Sequence, residues 1–334
     1  MKFGSFILGC EGTGITGSEA RFFRDARPLG FILFQRNIAS REQLRRLVDS
    51  LREAADHQAL VLIDQEGGRV QRMEPPHWTA WLPPLDQCQL LPRAESVRAM
   101  WLRYRMIAAE LRDVGIDTNC VPVADIAGEG THEVLRNRCY GFDPESVSAH
   151  ALAVADACLA GGVLPVAKHI PGQGRMSEDS HLRLPRTNAS EDSLRQWEWQ
   201  PFKSLRHLPL GMTSHALYSS IDGRQPATWS SSVLDIVRNQ IGFEGLLMTD
   251  DISMSALSGN VGHRSRRALD AGCDIVLHCN GNLAEMQEVA ANAGILEGAA
   301  EDRARAALDA RKNPSEVDVE ALGHEFRRLV GAAN

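Results

Sequence analysis

Short apolar runs recur along most of this chain, at residues 6–9, 30–34, 59–63, 116–123, 163–167, 210–213, 245–248 and 274–277. Most are bounded by Gly, Pro, Asn or Asp, and they are continuous rather than alternating. That is the pattern of parallel strands buried on both faces. Between them lie longer stretches with helical spacing. Residues 41–55 follow Ser40, a candidate N-cap, and place Leu44, Leu47 and Leu51 at helical intervals. Residues 94–114, 144–160, 230–240 and 264–271 read the same way. Eight strand signals alternating with helices predict an α/β protein, a (β/α)8 barrel, with a doubly wound sheet as the alternative. From about Ala299 the sequence is rich in Ala, Glu and Arg, and it predicts outer helices separated at Pro314. The expectation is one catalytic domain over 1–334, with 299–334 as a helical extension.

Composition narrows the function more than the fold. The 334 residues are 43% hydrophobic and 24% charged, which excludes a disordered, collagenous or membrane-filled chain. A formal net charge of −7 argues against a nucleic-acid binder working by bulk charge. No stretch is long and apolar enough for a transmembrane helix. The apolar run near the N-terminus is short and is followed by Glu11, without the pattern of a signal peptide. Seven cysteines are scattered without a CxxC pair, the usage of reduced, mostly buried thiols. Together these features predict a cytoplasmic protein. Lysine is scarce: of 36 basic residues, the lysines are Lys2, Lys168, Lys203 and Lys312.

In a barrel the active site lies at the C-terminal ends of the strands. Four of the runs end in ionisable groups: Asp64-Gln65-Glu66, Lys168-His169, Ser214-His215 and Asp250-Asp251. Charges directly after buried strands are penalised by desolvation, so their concentration here points to function. A small, polar loop follows Lys168-His169-Ile170-Pro171-Gly172-Gln173-Gly174 and carries Asp179 and His181 two residues apart. A carboxylate beside an imidazole fixes its tautomer and raises its pKa, which suits acid–base work. The spacing also fits two exposed loop residues that never meet. The glycines match neither GxGxxG nor GxxxxGK[ST], and the histidines have neither HxH nor HExxH spacing. No cofactor and no metal are therefore expected.

At these residues the sequence resembles glycoside hydrolase family 3, specifically the bacterial β-N-acetylglucosaminidases of cell-wall recycling. The resemblance runs roughly from Gly30 to Asn280. It rests on the ordered motifs Asp64-Gln65-Glu66-Gly67-Gly68-Arg69-Val70-Gln71-Arg72, Lys168 to Gly174, Asp179-Ser180-His181, Thr249-Asp250-Asp251-Ile252-Ser253-Met254 and Ala271-Gly272-Cys273-Asp274. It implies that Asp250 is the nucleophile, His181 the general acid/base and Asp179 its partner. It also implies that Asp64, Arg72, Arg138, Lys168 and His169 hold the sugar. Two departures stand out. The stretch from Leu135 to Gly141 differs from the family's IGxRSFG, and Gln173 replaces its histidine.

The implied chemistry is retaining hydrolysis of terminal β-N-acetylglucosamine from 1,6-anhydro-MurNAc muropeptides, through a covalent glycosyl-enzyme. The implied partner is a small-molecule substrate, with no nucleic acid and no membrane, and a monomer is the expectation. Because adjacent strand residues face opposite ways, only one of Asp250 and Asp251 should reach the site. Competing readings are a β-glucosidase or β-xylosidase of the same family, a Schiff-base aldolase using Lys168, and a sugar-binding barrel without catalysis.

Overall fold

A computed structural model describes residues 2–178 and 183–331 of the chain. Eight parallel strands close into a barrel in sequence order: β1 (Gly4–Leu8), β2 (Pro28–Leu33), β3 (Leu60–Ile63), β4 (Thr118–Asn119), β5 (Leu164–Ile170), β6 (Leu210–Thr213), β7 (Leu246–Asp251) and β8 (Ile275–His278). Closure joins β1 to β8 through Phe6↔Val276, Ile7↔Leu277 and Leu8↔His278. The architecture is the predicted (β/α)8 barrel.

The two-faced burial behind the unbroken apolar runs is visible in the packing. Ile7, Ile32, Leu62, Val166, Met212 and Leu277 belong to one cluster inside the barrel. Their strand neighbours Leu8, Phe31, Val61, Ala167 and Val276 belong to a second cluster that packs against the helices. Each strand therefore needs apolar residues at both parities.

Several helices begin where short polar side chains cap them. In α1 (Gly17–Ala26), Thr16 and Glu19 form a reciprocal capping box. Ser40 caps α2 (Arg41–Ala55) by accepting from the Gln43 N–H, and Asp143 caps α4 (Pro144–Ala160) by accepting from the Ser146 N–H. Between them runs α3 (Arg93–Asp113). The ring continues through α5 (Trp199–Ser204), α6 (Ser231–Ile236), α7 (Val261–Ala271) and α8 (Leu283–Ala293). After it, α9 (Gly298–Asp309) places Ala304 and Ala307 in the inner cluster with Phe3 and Leu29, toward the N-terminal ends of the strands. Last comes α10 (Val319–Gly331), held on the outside by Arg98–Glu325 and by Phe326 against Trp81. Pro314 lies between α9 and α10.

Two elements differ from expectation. The apolar run 116–123 yields a ladder of just Thr118 and Asn119, because Pro122 has no N–H to offer a neighbour. The chain beyond still accepts from β5, the Lys168 N–H donating to the Pro122 carbonyl. The helix expected over 230–240 changes after Ile236 into a π-helical turn, Val237–Ile241, which ends at Gly242 with φ +79°. Among the described residues no helix is long and apolar enough to cross a membrane.

Candidate active site

A cavity of about 260 Å3 opens at the C-terminal ends of the strands. Its floor is apolar, from Ile32, Met212 and Leu277, and its walls carry Asp64, Arg72, Arg138, Lys168, His169, Asp250 and Asp251. Six of the predicted site residues are thus gathered around one space. The other two, Asp179 and His181, lie outside the described residues.

One wall is an ion network. Asp64 follows β3, and the chain then folds into a tight hairpin of Gln65–Gly67 with Val70–Gln71. Gly67 makes that hairpin possible: its φ is +104°, and a Cβ there would lie 1.9 Å from Arg103 Nη2. That guanidinium and the Tyr104 hydroxyl donate to the Glu66 carbonyl at 2.6 and 2.8 Å. So anchored, the Glu66 side chain turns inward with no exposed surface. Lys168 Nζ sits between two carboxylates, 2.8 Å from Asp64 Oδ1 and 2.7 Å from Glu66 Oε1. Arg138 grips Glu66 with two parallel bonds of 2.8 Å, and Arg72 Nη2 donates to Asp64 Oδ2 at 3.2 Å.

The network decides its own charge states. Burial opposes ionisation of Asp64, but Lys168 and Arg72 outweigh it and hold the carboxyl well below its usual range. For Glu66, burial is likewise overcome by Arg138 and Lys168, and its pKa falls to about 2. Burial alone would lower Lys168, yet Asp64 and Glu66 raise it above its ordinary value. Schiff-base chemistry needs a neutral amine, so this charged, doubly paired lysine argues against the aldolase reading.

His169 completes that wall. Its Nδ1 lies 2.6 Å from Asp125 Oδ2, inside a buried pair. A carboxylate accepts, so Nδ1 carries the proton and, in the neutral ring, Nε2 presents a lone pair. Asp125 also accepts the Gln173 N–H at 2.7 Å, tying the glycine-rich segment to the chain after β4. Gln173 itself lines the cavity.

The opposite wall is sparse. Asp250, at the end of β7, is 8% exposed, and one of its oxygens accepts the Asp251 N–H at 2.8 Å. Among the described residues no side chain donates to it. Asp251 is tied down: it accepts the Ser253 N–H and hydroxyl at 3.0 and 2.7 Å and the Cys279 N–H at 3.2 Å. Both residues line the cavity, with Asp250 continuing the inward parity of Leu246 and Met248. The β7–β8 register shifts between Met248 and Asp251, which breaks simple alternation there. What separates the pair is hydrogen bonding. His215 is wholly buried and braces this wall, with Nε2 at 3.0 Å from the Asp251 carbonyl. Burial pushes its pKa down despite nearby Asp250, which favours the neutral ring.

Asp125 is a participant that the strand-end reading passed over, and Glu66, which that reading included beside Asp64, was given no role. Glu66 lies beyond the strand, inside the hairpin, so strand position alone could not show that it pairs with Lys168 and Arg138. Asp125 had a usable signal, because it follows the run 116–123 as Asp64 follows 59–63.

Comparison with known proteins agrees with this geometry. Residues 19–309 match the model of the glycosyl hydrolase family 3 N terminal domain. A β-hexosaminidase of Alkalilimnicola ehrlichii is 36% identical over 290 residues, spanning 84% of this chain and 82% of that protein. One from Stenotrophomonas maltophilia is 34% identical over 287 residues, with 84% of each covered. Among solved structures, NagZ from Neisseria gonorrhoeae in complex with N-trifluoroacetyl-D-glucosamine superposes with a TM-score of 0.86 at 29% identity, over 99% of this chain and 96% of that one. A β-N-acetylhexosaminidase from Beutenbergia cavernae gives a TM-score of 0.74 at 27% identity, over 98% and 96%. On the strength of the family match and of relatives this similar along most of their length, the chain belongs to glycosyl hydrolase family 3.

Proposed function

We propose that this protein is a retaining exo-β-N-acetylglucosaminidase, with the whole chain, 1–334, as one catalytic barrel unit and 299–334 as its helical extension. The observation that carries the reading is the asymmetric cavity, in which the hydrogen-bond-poor carboxylate Asp250 faces the Asp64–Glu66–Lys168–Arg138 cluster. Asp64 accepts from sugar hydroxyls, Lys168, Arg72 and Arg138 donate to them, and His169, whose Nε2 lies 3.5 Å from Arg138 Nη2, completes the clamp. That clamp holds the terminal residue in place for attack.

In the first step an Asp250 oxygen attacks the anomeric carbon and the glycosidic C–O bond breaks. His181, assisted by Asp179 as the motif resemblance implies, gives its proton to the leaving oxygen. In the second step neutral His181 takes a proton from water, whose oxygen bonds to the anomeric carbon as Asp250 departs. The substrate we assign is GlcNAc linked to 1,6-anhydro-MurNAc muropeptides, cleaved in the cytoplasm by a monomer during cell-wall recycling. Names of the relatives support the hexosaminidase reading, and the motif resemblance supports the rest.

Incubation with a 5-fluoro glycosyl donor followed by peptide mass spectrometry should place the label on Asp250. Label on Asp251, or none with an active enzyme, overturns the mechanism. Parallel assays on p-nitrophenyl β-GlcNAc and β-glucoside should favour the first, and faster glucoside turnover would move the enzyme to the other activity of its family. His181→Ala should slow poor leaving groups more than good ones, and an equal effect would remove its acid role.

A further inference from the structure

At the opposite end of the barrel lies a second cavity, of about 360 Å3, whose chemistry is unrelated to the first. Its lining is almost wholly polar. Arg52 enters from the last turn of α2 and Arg112 from the last turn of α3, while Arg311 and Lys312 enter just after α9. The acidic residue lining it is Asp117, immediately before β4. Lys312 is one of the four lysines in the chain, as is Lys168 in the other cavity.

The Asp117 side chain is 2% exposed and already saturated. Oδ1 accepts the Val61 N–H at 2.8 Å, and Oδ2 accepts Arg52 Nη2 at 3.0 Å and Arg311 Nη1 at 3.2 Å. Each guanidinium is fixed further by a backbone carbonyl, Arg52 Nε on Ala59 at 3.2 Å and Arg311 Nε on Leu308 at 3.1 Å. Asp117 thus presents two arginines in fixed orientation with N–H groups to spare. Among the described residues, the side chains of Arg112 and Lys312 have no hydrogen-bonded or ion-paired partner.

The charge balance shows what this arrangement lacks. Four cations meet one carboxylate. The C-termini of α2 and α3 add about half a negative charge each, which accounts for an arginine in each last turn. About two positive charges remain uncompensated in one concave site, on a chain whose net charge is −7. The crowding is felt locally: burial lowers Arg52 from its usual value, and Arg311 and Arg112 repel it against the pull of Asp117. Planar guanidinium forks with free N–H groups match tetrahedral oxyanions, which accept at several oxygens at once.

We propose that this cavity is an anion site that takes a phosphate group, free or as the monoester of a small metabolite. Bound there, a phosphate dianion would bridge α2, α3 and the segment after α9, tying the helical extension to the barrel far from the catalytic face. Thermal unfolding and calorimetric titration of the full chain would test this, with sodium phosphate compared against sodium chloride at equal ionic strength. Phosphate should give a saturable rise in Tm, about 5 °C at a hundredfold excess over Kd. The double variant Arg112→Gln/Lys312→Gln keeps the Asp117 pairs. It should retain the phosphate-free Tm and hydrolytic rate while losing the phosphate shift. Lys312→Gln alone, at an exposed position, should weaken binding several-fold. Tighter binding of glucose 6-phosphate than of inorganic phosphate would identify the ligand as an ester, and equal or weaker binding as free phosphate. A rise matched by chloride, or one that persists in the double variant, overturns the site.

Discussion

The two walls of the active-site cavity are built on opposite electrostatic plans. On the β3–β5 side, Asp64, Glu66, Lys168 and Arg138 neutralise one another through bonds of 2.7–2.8 Å. On the β7–β8 side, Asp250 has a single backbone donor and Asp251 takes the remaining ones. The first plan suits recognition. Buried charges that hold each other in fixed positions pay their desolvation during folding, and they present oriented donors and acceptors when substrate arrives. The second suits attack, because every strong hydrogen bond to a carboxylate stabilises its lone pairs and blunts it as a nucleophile. On the proposed mechanism, the site would separate holding from reacting by where the Lys and Arg donors are placed.

Experiments that break this contrast rank by expected effect. Asp250→Asn neutralises the proposed nucleophile and should lower kcat by on the order of 10^4-fold, measured on p-nitrophenyl β-GlcNAc, while Asp251→Asn should cost far less. Equal losses would erase the distinction between the pair. Glu66→Gln leaves Lys168 and Arg138 under-neutralised in a buried site and should destabilise the fold by about 3–5 kcal/mol. Denaturant titration measures this, and a loss below 1 kcal/mol would mean that the network does not need its central carboxylate. Asp125→Asn removes the charge that fixes His169 and should reduce kcat/KM by about 10- to 100-fold. Ring 15N shifts of His169 should show the Nδ1–H form in the native protein and its depletion in the variant. An unchanged tautomer would dismiss Asp125 as its determinant.

The smallest effect is in the pH dependence of stability. Asp64 and Glu66 have folded-state pKa values below their unfolded ones. Their contribution is therefore present above the unfolded carboxylate range near 4 and is lost as pH falls through the folded values, for Glu66 down to about 2. The Glu66→Gln variant should show a shallower acid limb between roughly pH 4 and 2. A limb of native steepness would place the acid sensitivity elsewhere.

The fold was highly legible because a parallel barrel writes its strands as unbroken apolar runs and its helices as 3.6-residue patterns with capping residues. The range 41–55 is the observed α2, and 144–160 the observed α4. The run 116–123 was legible as buried extended chain, but its ladder is cut short by Pro122. The site was legible where charge directly follows a strand, as at Asp64, Lys168, His169 and Asp250. Glu66 was visible beside Asp64, but its pairing with Lys168 and Arg138 was not, because a hairpin turn enabled by Gly67 brings it to them. Alternation gives Asp250 the inward parity of Leu246 and Met248, but not the hydrogen bonds that tie down Asp251.

By itself, then, the sequence determined the order of strands and helices and which chemical groups stand at the strand ends, because both depend on near neighbours in the chain. The tertiary structure decided which charges meet. Lys168 and Asp64 are 104 residues apart, and Arg138 and Glu66 are 72 apart. Their charge states follow from distances and burial that exist only after the barrel closes. The same closure sets the balance at its two ends: carboxylates and cations matched around the sugar-sized cavity, and cations in excess over Asp117 at the other.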